Sequence, residues 1–64
     1  MKEKLTLKQI RILSNDMTQE EFAKHVGIDY RRYQNLESGK VKLLARELFA
    51  ICDATNVAPT EVQI

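Results

Sequence analysis

Between Thr18 and Ser38 the chain starts a helix, stops it on a glycine and starts another almost at once. The stretch reads "TQEEFAKHVGIDYRRYQNLESGK". Thr18 and Glu21 form a capping box, in which the hydroxyl accepts from the backbone N–H of Glu21 while the carboxylate reaches back to the N–H of Thr18. Phe22, Ala23 and Val26 mark one apolar face, and Gly27 ends the run because it enters the left-handed region without a Cβ clash. Only Ile28 and Asp29 precede the next run. Asp29 is a good N-cap, and its charge suits the positive end of a helix. This spacing leaves room only for a tight turn between two short helices, one over about residues 18–26 and one over about 29–38.

The flanking sequence extends the pattern. Thr6 with Gln9 has the form of another capping box, and Leu7, Ile10 and Leu13 follow at helical spacing, which predicts a first helix over about Leu7 to Leu13. Ser14 to Asp16 is a polar break. After "GKVK", the residues Leu44, Leu48, Ile51, Cys52 and Thr55 fall on one side of a fourth helix ending near Asn56, with no obvious Ser, Thr, Asp or Asn to start it. Pro59 is placed to open a fifth helix or a single turn. Strand signals are absent. The expectation is an all-α chain, a compact bundle of about five short helices in one domain over residues 1–64.

With 64 residues, such a domain buries only about 60% of the surface of its unfolded chain. One cysteine, Cys52, and one histidine, His25, supply neither a disulfide nor a metal site, so helix packing or a partner must provide the stability. Cys52 reads as a small buried thiol and His25 as an exposed residue. No apolar run approaches the ~20 residues that span a bilayer. The start, "MKEKLTLKQI", lacks the apolar region of a secretory signal, and the expected location is the cytoplasm. There is no paired nucleophile and base, no glycine-rich phosphate loop and no metal-ligand cluster, which argues against an enzyme and against a cofactor.

The net charge of +1 hides an asymmetry. Residues 1–29 balance, residues 47–64 carry three acids and no base, and residues 30–46 carry five bases (Arg31, Arg32, Lys40, Lys42, Arg46) against the single acid Glu37. A local excess of that kind is the electrostatic footprint of a polyanion-binding surface. On the third helix, at about 100° per residue, Tyr33 and Leu36 form a narrow apolar stripe. Arg31, Gln34, Asn35 and Ser38 lie opposite it, flanked by Tyr30 and Arg32. Tyr33 is therefore assigned to the core with its hydroxyl at the rim. An arginine fork matches guanine O6 and N7 and an amide matches adenine, so the polar face suits the major groove of DNA. On the wheel alone, an ordinary solvated face is the stronger reading of Arg31 and Asn35.

The segment Thr18 to Lys40 resembles the helix-turn-helix of the phage repressor (Cro-like, XRE) family, with its Thr-Gln opening, glycine turn and closing Glu-x-Gly-Lys. The likeness continues through "LFAICDATNVAPTEV" and covers about Leu7 to Val62. It implies a lambda repressor-like fold and a sequence-specific regulator of transcription, of Cro-like repressor type. It further implies that Tyr30, Arg31 and Asn35, with Gln34 near the edge, read bases. By the same resemblance Gln19 contacts phosphate and braces the recognition helix, Lys40 touches the backbone, and Arg11 pairs with Glu37. Arg11, Arg32 and Lys42 complete the expected phosphate set. The partner expected is double-stranded DNA bound by a homodimer, with Val57, Val62 and Ile64 as candidate dimer residues and no small-molecule ligand. The competing reading is an interaction module that uses the same fold to bind another regulator.

Overall fold

The structure, a computed structural model, describes residues 4–63. Four α-helices follow in chain order: α1 (Leu7–Leu13), α2 (Gln19–Val26), α3 (Tyr30–Ser38) and α4 (Ala45–Thr55). A single 3-10 turn, Pro59–Glu61, takes the place of a fifth helix. Both expected capping boxes are formed: Thr6 accepts from Gln9 N–H at 3.2 Å and Thr18 from Glu21 N–H at 3.2 Å. Each returning side chain, Gln9 and Glu21, accepts in turn from the cap's own N–H. Asp29 accepts from Arg32 N–H and caps α3.

The helices end as local chemistry dictates. Gly27 and Gly39 adopt φ of 78° and 84°, and Asn56, where a glycine would be commonplace, closes α4 at φ 60°. Asparagine tolerates that region because its short polar side chain relieves the cost. The break after α1 is made by two successive left-handed residues, Asn15 and Asp16. The start of α4 has a cap that its sequence conceals. Leu44 occupies the N-cap position, and the carboxylate of Glu47 accepts from its N–H at 2.9 Å.

Helix α3 packs against α2 and α1, and α4 packs across α2. The core comprises Leu7, Ile10, Phe22, Ala23, Val26, Tyr33, Leu36, Ile51, Cys52 and Val62. The rings of Phe22 and Tyr33 meet at its centre, 5.4 Å apart and tilted by 59°. Fully burying a side chain such as Phe22 contributes roughly 1.5–3 kcal/mol, so a core of ten residues carries most of the stability of a chain this small. The two ends of the chain are joined by an isolated parallel bridge, in which Leu5 N–H donates to Glu61 C=O and Gln63 N–H donates to Leu5 C=O. No helix among the described residues is long and apolar enough to cross a membrane.

Several expectations about individual residues are corrected. Leu13 is 71% exposed, because each step of three residues falls about 60° short of a full turn and the stripe has rotated off the core by the end of α1. Leu44 sits outside α4 as its cap and is exposed. Val62 is fully buried in the core and Val57 packs against it, which removes Val62 from any dimer surface. Ile64 lies outside the described residues.

Candidate nucleic-acid interface

Helix α3 is held at both ends and open between them. Near its C-terminus the Glu37 carboxylate accepts from Arg11 Nε at 3.1 Å, from Arg11 Nη2 at 3.0 Å and from Gln19 Nε2 at 3.1 Å. Arg11 Nη1 also donates to the Met17 carbonyl at 2.8 Å, tying in the loop between α1 and α2. One carboxylate thus fastens three helices. Its side chain is 9% exposed and that of Arg11 14%. Burial opposes ionisation of Glu37, but the hydrogen bonds from Arg11 and Gln19 and the charge of Arg11 help outweigh it and hold its pKa below the usual carboxylate value. Hydrogen bonding to Glu37 raises the pKa of Arg11 against the opposing effect of burial.

Tyr33 belongs to this cluster more deeply than expected. Its hydroxyl is buried with no partner in hydrogen-bonding geometry, beneath the rim rather than at it. Burial first, and then the neighbouring Glu37, push the phenol pKa well above the ordinary value.

At the other end of α3, Arg32 makes a two-pronged bond to Glu47, with Nε donating to Oε2 at 2.6 Å and Nη2 to Oε1 at 3.0 Å. Nη2 also reaches the Lys42 carbonyl at 3.3 Å. The Glu47 side chain is as deeply buried as that of Glu37, 9% exposed. Arg32 lowers its pKa most, burial opposes this, and the Leu44 N–H and the charge of Arg46 reinforce it. The carboxylate therefore performs two tasks, capping α4 and holding the first turn of α3. Sequence reasoning missed this pair because the partners are fifteen positions apart. The available signal was that Glu47 stands three residues into a helix lacking an obvious cap, where a carboxylate has work to do.

Between the two anchors, Tyr30, Arg31 and Gln34 are exposed and Asn35 is half-buried, while Tyr33 and Leu36 are buried. The expected base-reading residues thus share the outward side of α3. Lys40 and Lys42 are exposed in the loop that follows, and Gln19 is half-buried at the first position of α2. Of the expected phosphate contacts, Arg11 and Arg32 have their guanidinium groups engaged by Glu37 and Glu47. Cys52 is buried, and burial followed by the charge of Asp53 raises its thiol pKa, which keeps it unreactive. His25 is exposed, its ring 6.5 Å from that of Phe22.

Two helices joined by a glycine turn, the second presenting a polar face clear of its core contacts, define a helix-turn-helix protein. The Helix-turn-helix family model matches residues 7–62, nearly the whole chain. The chain belongs to the Cro/XRE-like helix-turn-helix family of DNA-binding regulators. No curated protein and no solved structure matches it.

Proposed function

We propose that the chain is a single sequence-specific DNA-binding domain, a small Cro-like repressor that acts as a homodimer and needs no small-molecule ligand. Helix α3 lies in the major groove, and Tyr30, Arg31, Gln34 and Asn35 meet base edges. Gln19, Lys40 and Lys42 meet phosphates. Arg11 and Arg32 act as positioning residues, since their guanidinium groups are held by carboxylates. The observation that supports this reading best is the division of α3: Tyr33 and Leu36 sink into the core while Arg31 and Gln34 stand free. Two such helices read half-sites about 34 Å apart.

Affinity then comes from counterion release and specificity from a few base contacts. Two lysines per subunit, four per dimer, give a slope of log K against log salt of about −3.6, and Lys40→Ala reduces its magnitude by about 1.8. Selection on random duplex DNA, repeated with Arg31→Ala, tests the assignment of bases. The variant loses about tenfold preference at one position per half-site. A selection that enriches no sequence, or an Arg31→Ala variant that weakens all sequences equally, rules the base-reading role out.

A further inference from the structure

Helix α4 carries a large apolar side chain that the core does not use. Phe49 is 58% exposed and projects from the side of α4 opposite the buried Ile51 and Glu47. The same outward side carries Arg46, three residues earlier, and Asp53, four residues later, both exposed. Neither forms an ion pair among the described residues. Ala45 and Ala50 border Phe49 and leave space for close approach. Ile12 and Leu13 are exposed too, but they stand where the chain leaves α1 for a left-handed turn and form no continuous helical face.

We infer that this face of α4 is the surface on which a second copy of the chain docks, antiparallel, about a two-fold axis passing beside Phe49. The argument is charge complementarity. Arg46 precedes Phe49 by about 4.5 Å along the helix and Asp53 follows it by about 6 Å. An antiparallel copy therefore sets Arg46 opposite Asp53 of its partner, and Asp53 opposite the partner's Arg46, with the two phenyl rings side by side. Such an interface is self-complementary, as a two-fold contact must be. A parallel copy would instead oppose like charges.

One helix face covers less than the roughly 800 Å² per partner of a standard interface, so the free dimer is weak, with a dissociation constant on the order of 10–100 μM. The inference rests on the homodimer reading above and names its interface. Sedimentation equilibrium of the full chain, with and without duplex DNA carrying two half-sites, tests both. Phe49→Glu raises the dissociation constant at least about tenfold, and an unchanged helical circular dichroism spectrum shows that the fold survives. Arg46→Asp and Asp53→Arg each weaken the dimer, and the double exchange restores it to within about twofold of the starting value. A wild-type dimer insensitive to Phe49→Glu, or a double exchange weaker than either single change, overturns this surface and leaves the dimer reading intact. A wild-type chain that is monomeric both free and on DNA overturns the dimer reading and this surface with it.

Discussion

The two anchors of α3 use the same chemistry, an arginine fork on a glutamate, yet they differ in depth and in what they join. The Arg11–Glu37 pair connects α1, α2 and α3 and is nearly enclosed, with side chains 14% and 9% exposed. The Arg32–Glu47 pair connects α3 only to the start of α4, and its arginine remains 35% exposed. An enclosed pair that binds three elements is part of the fold. A half-open pair beside the outward face of α3 ties the first turn of that helix to the start of α4. The difference teaches that a guanidinium on or near a recognition helix is a poor guide to DNA contact until its partners are known.

The largest effect separating the two is expected from Arg11→Met. It leaves Glu37 buried without its cation and costs about 3 kcal/mol of stability, as measured by urea unfolding. Arg32→Met should shift the urea midpoint less, because Glu47 keeps the Leu44 N–H and the nearby charge of Arg46; equal shifts would erase the distinction. Acid provides the next test. Both carboxylates have folded pKa values below their unfolded ones, so each contributes stability that is fully present above about pH 4.5 and is lost as pH falls through the folded value. Thermal melts between about pH 6 and pH 3 should show a steep acid limb in the wild type. The limb flattens in Glu37→Gln, which is already less stable at neutral pH, and a variant that keeps the full acid limb would show that Glu37 is not its source.

Arg32→Ala comes next. We expect a loss of about tenfold in DNA affinity with base preference blurred near Tyr30 and Arg31, and a salt slope unchanged within error. A slope reduced by about 0.9 per subunit would return Arg32 to the phosphate contacts. The smallest effect belongs to Gln19→Ala, which removes one of three hydrogen bonds to Glu37 and costs about 1 kcal/mol. A loss in DNA affinity larger than the loss in stability would support its second role, at a phosphate.

How much was legible in the residues depends on distance along the chain. The helix starts at Thr6, Thr18 and Asp29 and the stop at Gly27 are legible because each is a bargain among neighbours three or four positions apart. The start of α4 was obscure because its cap is a backbone N–H met by Glu47, with no side-chain oxygen at the cap itself. The Arg11–Glu37 pair, twenty-six positions apart, was foreseen only through the family resemblance. The Arg32–Glu47 pair is not legible at fifteen positions' distance, and the resemblance sets Arg32 only at the edge of the base-reading positions, as an expected phosphate contact.

By itself the sequence determined four helices, their tight glycine and asparagine ends, and the split of α3 into a buried stripe and a polar face. Those follow from caps, left-handed residues and a period of about 3.6 residues, all of which act locally. Only the tertiary structure decided that Tyr33 lies wholly beneath the surface, that Leu13 and Phe49 stay outside the core, and that Arg32 turns to Glu47. The reason is physical: burial and pairing of distant groups depend on where the helices pack, and a helical repeat indicates which residues share a side but not which side is covered.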